Sequence, residues 1–359
     1  MQDTTMTETL RPRVDWKNRI IWILLVTVFW YMFVFSVSGE IVFGSPASPI
    51  RGLVEKIGYM KHATYFTLEM YLSTLIAFLG AYLYTGITKR NRFIFRSFLP
   101  KSPGNTITRL LQGLLVGFVM NFGCIVCALA VGDIKLFLNF TITQIPFYLF
   151  ALVCVFVQSS AEELWTRGFM YERINVHYPL WVAILVNGVF FALMHIFNPG
   201  AGFLPILDIA ICGLSFSLAK WYTGSIWFPM GIHTAWNFTQ NFLFGLPNSG
   251  LVSEASVFGL DAANARGSLI YDVQFGVEGA LPAVFADLIL GVVCLLLAAK
   301  KGRLGELMQK QVTPGKDPSG PQPIEYKIPK DGGDAERWNY TETAIDDIDT
   351  AADDQGDNQ

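Results

Sequence analysis

The chain has 359 residues, of which 52% are hydrophobic and only 15% charged, and its mean hydropathy is +0.40. A soluble core of this length would carry more charge and shorter apolar runs, so these figures exclude an ordinary soluble fold and place the chain in a membrane. The formal net charge of −3 comes largely from the C-terminal tail and offers no basic surface to nucleic acid.

Taken in chain order, eight apolar stretches approach the roughly 20 residues that cross a bilayer as helix. They are Ile20–Ser38, Thr64–Tyr84, Leu110–Val131, Ile145–Ile174, Leu180–Phe197, Phe203–Ala219, Ile226–Phe244 and Leu281–Ala299. The expected fold is therefore all-α: a polytopic membrane helix bundle with a polar intramembrane cavity. Residues 1–19 precede the first span and hold Arg11, Arg13, Lys17 and Arg19. They resemble the start of a signal peptide, but the apolar run that follows exceeds the ~7–15 residues of a cleaved one, so an uncleaved anchor is expected. Residues 20–144 supply the first three spans and 145–246 the next four. A loop over 247–280 is expected to pack over the outer mouth, and the eighth span follows in 281–311. Val312–Gln359, rich in Pro, Gly, Asp and Glu, reads as a disordered acidic tail.

Lysine and arginine concentrate before the first span, in Lys89–Arg109, at Arg167–Arg173, at Lys220 and in Lys300–Lys310. The alternate loops hold only Arg51, Lys56, Lys61, Lys135 and Arg266. The positive-inside bias then predicts an integral multi-pass protein of the plasma membrane with both termini cytoplasmic. All five cysteines fall in predicted helices, and Cys124-x-x-Cys127 reads as buried packing rather than a redox pair.

Charged side chains inside spans cost roughly 2.5–3.5 kcal/mol each on insertion scales and mark candidate functional sites. The fourth span carries Glu162, Glu163 and Arg167. Glu163 and Arg167 are spaced i, i+4 and can pair on one face. Glu162 projects about 100° further round and has no such partner. The fifth span adds Phe191-x-x-x-His195 and the seventh His233-x-x-x-Asn237. At 1.5 Å per residue, a hairpin turning near His177–Pro179 brings Glu162 and His195 to one level, roughly 25 Å from the turn. His233 falls shallower by the same rise, a gap that tilt or a kink at Pro229 must close. Asp208, in the sixth span, is placed to orient His195 or to bond elsewhere. Glu69 and Asp287 are left as packing or pathway acids.

Glu162-Glu163-x-x-x-Arg167, Phe191-x-x-x-His195 and His233-x-x-x-Asn237, in this order on successive helices, resemble the CPBP (CAAX protease and bacteriocin-processing, or Abi) family of intramembrane endopeptidases. The resemblance covers roughly Phe147–Leu246. It implies a peptide or lipidated protein as substrate, in contact with membrane lipid. The family's eukaryotic members remove three C-terminal residues from prenylated CAAX proteins, and bacterial relatives are linked to bacteriocin immunity, peptide maturation and envelope functions. Carried over by position, Glu162 and His195 would activate a water, His233 and Asn237 would hold the oxyanion, and Glu163 and Arg167 would support them. Members are often named metalloproteases; zinc, if bound, would take Glu162, His195 and His233. The sequence lacks the His-Glu-x-x-His ligand pair, so a metal-free glutamate mechanism is the preferred expectation. Two other readings stay open: a catalytically silent immunity or scaffold protein, and a transporter relaying protons through Glu162 and Asp208. The second is disfavoured because no repeated halves are visible.

Overall fold

The computed structural model describes residues 20–33, 52, 54, 56, 60–100 and 104–310. The basic N-terminal segment, the end of the first span and the acidic tail from 312 lie outside the described residues. Within them the chain is mostly helical, as expected. In chain order the helices are α1 (Ile20–Val28), α2 (Lys61–Met70), α3 (Leu75–Ile87), α4 (Arg92–Phe98), α5 (Ile107–Val131), α6 (Ile145–Glu163), α7 (Tyr171–His177), α8 (Leu180–Leu193), α9 (Phe203–Thr223), α10 (Trp227–Phe238) and α11 (Leu281–Lys300).

Five helical stretches among the described residues are long and apolar enough to cross a membrane: Lys61–Ile87, Ile107–Val131, Ile142–His177, Phe203–Thr223 and Leu281–Lys300. Each of the eight expected segments contains helix, but α8 and α10 are shorter than a full crossing. Pro179 starts α8 and the chain turns away after Leu193 through Gly200, whose φ of 78° lies in the left-handed region. The outward faces are apolar: Leu111, Leu115, Val119 and Val126 on α5, and Phe285, Ile289, Val292 and Leu296 on α11, are exposed. The buried positions hold polar residues such as Asn121, Glu163, Arg167, Asp208 and Asp287. This is the reverse of a water-soluble helix and the pattern that lipid requires.

Helices α5 and α10 pack backbone to backbone. A Cβ on Gly113 would lie 2.1 Å from Phe228 O, one on Gly117 2.2 Å from Ile232 O, and one on Gly231 2.5 Å from Leu110 O. The Gly113-x-x-x-Gly117 pair is thus a small-residue seam of the kind that lets membrane helices touch, and it fixes the helix carrying His233. Gly117→Ala is expected to lower stability by about 1–3 kcal/mol through overpacking, measured by thermal unfolding in a single detergent. Pro229 does not kink α10. It sits in the first turn, where a missing N–H leaves no broken bond.

Cys127 is exposed, whereas Cys124, Cys154 and Cys294 are buried; the i, i+3 step carries Cys127 towards the outer face of α5. Residues 244–280 fold back over the bundle. Strand β2 (Phe258–Leu260) pairs antiparallel with β1 (Leu136–Leu138), with Phe137 opposite Gly259. Beneath this small sheet, Leu246, Tyr271 and Val277 are fully buried.

Candidate active site

The helix holding the two glutamates changes winding directly after them. Helix α6 ends at Glu163 and Leu164–Met170 continue as a π-helix before α7 resumes. Such widened turns recur at functional sites because they release backbone groups and re-aim side chains. Here the carbonyls have partners: Asn187 Nδ2 donates to Thr166 O at 2.7 Å, and Lys220 Nζ to Arg167 O at 2.7 Å. Lys220 also bonds the carboxylate of Glu172. It is therefore a buried brace of the π turn, not the flanking loop charge that its position in the sequence predicts. Two further π turns flank the site: Phe29–Phe33 follows α1 and contains Tyr31, and Thr239–Leu243 follows Asn237.

Glu163 and Arg167 are fully buried and joined, Nη1 donating to Oε1 at 2.9 Å, as the i, i+4 spacing predicts. The guanidinium carbon lies 4.1 Å from the centre of the Phe191 ring and 5.5 Å from that of Phe216. Stacking on these two faces stabilises the cation, with its Nε and Nη2 free of hydrogen bonds. His233 Nδ1 is 3.0 Å from Glu163 Oε1. Since a carboxylate accepts, Nδ1 carries a proton, and Nε2 is turned towards Glu162, 3.9 Å from its Oε2.

Glu162 is held by one oxygen only. Its Oε1 accepts from the Tyr31 hydroxyl and from Gln158 Nε2, whereas Oε2 is buried without a hydrogen-bond partner. Gln158 Oε1 in turn accepts from Asn237 Nδ2 at 3.1 Å, and Asn237 Oδ1 accepts from Asn248 Nδ2 at 3.2 Å. A line of amides thus runs from the 244–280 loop to the free carboxylate, every donor pointing towards the negative charge; such chains polarise one another.

Glu162, Glu163, Arg167, His233 and Asn237 are thus brought together. His195 is not bonded to them. It lies past the end of α8 in a turn, half-buried, with Nδ1 2.8 Å from Phe191 O. Its ring centroid is 4.9 Å from that of Phe191, which also meets His233 edge-on at 6.1 Å. No hydrogen bond from Asp208 to His195 is seen among the described residues, and its Oδ1 is buried without a partner. Glu278, just before α11, accepts from Trp236 Nε1 at 2.8 Å and from Ser249 Oγ at 2.7 Å. Burial raises its carboxyl above the usual range, and the Ser249 and Trp236 bonds partly offset this.

Gln158, Tyr31 and Asn248 were not anticipated from the sequence. Gln158 carried a usable signal, being four residues before Glu162 on one helix face; the other two are distant in the chain. Among the described residues no three His, Cys, Asp or Glu side chains converge as a metal ligand set, Glu162, His195 and His233 included.

Residues 144–239 match the family model for type II CAAX prenyl endopeptidase Rce1-like proteins. This stretch is similar to an Rce1-like domain. It is about a quarter of the chain and contains Gln158, Glu162, Glu163, Arg167, His195, His233 and Asn237; Tyr31 and Asn248 lie outside it. The CPBP resemblance of the three motifs agrees with the match. The apolar helices long enough to cross a membrane, taken with the Rce1-like match, mark a multi-pass membrane protein. No curated protein matches the chain.

Proposed function

We propose that the chain is an intramembrane endopeptidase that hydrolyses a peptide bond in a peptide or lipidated protein. The observation that carries this reading is the buried, unbonded Oε2 of Glu162 facing His233 Nε2 at 3.9 Å. A buried carboxylate oxygen without a partner is costly, and a water bonded to both atoms would satisfy it. Glu162 takes a proton from that water as its oxygen attacks the scissile carbonyl, work typical of a positioned general base. His195, with Nδ1 tied to Phe191 O, has Nε2 left to orient the water or the substrate.

The oxyanion that forms is bonded by Asn237 and by His233 in its doubly protonated form. An amide has two N–H groups; Gln158 takes one and the second remains for the oxyanion. Glu163 and Arg167 hold His233 in place. The proton on Glu162 then passes to the leaving nitrogen and the acid formed gives its own proton to the amine, which closes the balance: one water consumed, one carboxylate and one ammonium formed. Every step is carried by the chain's own side chains.

The family description names a prenyl endopeptidase of CAAX sequences, so a farnesylated peptide ending in Cys-aliphatic-aliphatic-X is the first probe. The full chain in lipid nanodiscs is expected to release the C-terminal tripeptide, seen by mass spectrometry, and to cut the unlipidated peptide more slowly. Cleavage of neither peptide would favour the silent scaffold.

A further inference from the structure

We infer that Tyr31, together with Gln158, is a positioning residue: the pair pins Glu162 Oε1 so that Oε2 alone is presented to water. The inference rests on the reading of Glu162 as general base and deepens it. Tyr31 lies well outside the Rce1-like stretch, in the described part of the first apolar segment.

Its placement is built in. Ile23, Thr27 and Tyr31, at i, i+4 and i+8, form the buried face of the first helix. Next to Tyr31, Trp30 stacks on Trp165 with ring centroids 5.6 Å apart and planes 10° from parallel. Trp165 is three residues beyond Glu162 and is itself anchored by Nε1 donating to Ala77 O at 2.8 Å. The indole stack therefore fixes the rotation of the first helix against the π turn, and the Tyr31 hydroxyl meets the carboxylate. Gln158, one helical turn before Glu162, donates to the same oxygen and joins it to Asn237. Two donors on one oxygen lock the carboxylate's rotation and leave the other oxygen as the base.

The test is Tyr31→Phe in the full chain, which keeps the ring and leaves the indole stack untouched, read in two ways. With the farnesylated peptide, kcat is expected to fall about tenfold to hundredfold with KM unchanged, as for a misplaced catalytic group, and with no change in melting temperature. In infrared difference spectra, the carboxylate band identified by its loss in Glu162→Gln is expected to shift in Tyr31→Phe. An unmoved band, or a shifted band with kcat unchanged, would overturn the inference. The infrared reading needs no turnover: failure of the wild type to cut the peptide counts against the peptidase reading, and the band still decides whether Tyr31 holds Glu162.

Discussion

Glu162→Gln is expected to lower kcat by about 10²–10⁴-fold, the usual contribution of a positioned base, with little change in KM. The substitution is close to isosteric. Its side-chain oxygen can still accept from Tyr31 and Gln158, the partners of Oε1 in the native chain. What disappears is the capacity of the second atom to take a proton. Steady-state cleavage of the farnesylated peptide measures the effect. A loss smaller than tenfold would move the base elsewhere, with Glu163 the nearest candidate, because its Oε1 lies 3.0 Å from His233 Nδ1.

Arg167→Met should cost about 3–5 kcal/mol of stability, the usual penalty for breaking a buried pair by removing one partner. Glu163 is fully buried, and its Oε2 already lacks a hydrogen bond. Without the guanidinium, its charge would be shared with His233 alone. Arg167→Lys is not a conservative repair, since an ammonium has no planar face to lie on Phe191. Replacing both members, as Glu163→Gln with Arg167→Met, should recover much of the loss, because no uncompensated charge then remains. Denaturant unfolding of the three proteins in one detergent provides the comparison. A cost below 1 kcal/mol for Arg167→Met would show that the pair is solvated in the native protein.

How far the sequence alone reached can be traced residue by residue. Local spacing found the Glu163–Arg167 pair, because i, i+4 neighbours on a helix meet whatever surrounds them. The apolar runs found the helices, and His177–Pro179 marked the turn before α8. Uniform α-helix does not run from Glu162 to the turn, since Leu164–Met170 wind as a π-helix, and α8 stops at Leu193, short of His195. Nothing in the side-chain pattern announces a π turn, since its cause is tertiary: Lys220 and Asn187 satisfy the displaced carbonyls from other helices. Tyr31 and Asn248 escaped for the same reason. Each is one polar group among apolar or loop neighbours, and only the folded bundle brings them to Glu162 and Asn237.

The most direct test of a carboxylate-activated water at Glu162 is a single turnover of the farnesylated peptide in ¹⁸O-water. Attack by that water predicts ¹⁸O in the carboxylate newly formed at the cleavage site during the first turnover, with Glu162 unlabelled. Product carrying only ¹⁶O, with the heavy isotope in the Glu162 side chain, would mean that the glutamate itself attacked the carbonyl, and would contradict the account.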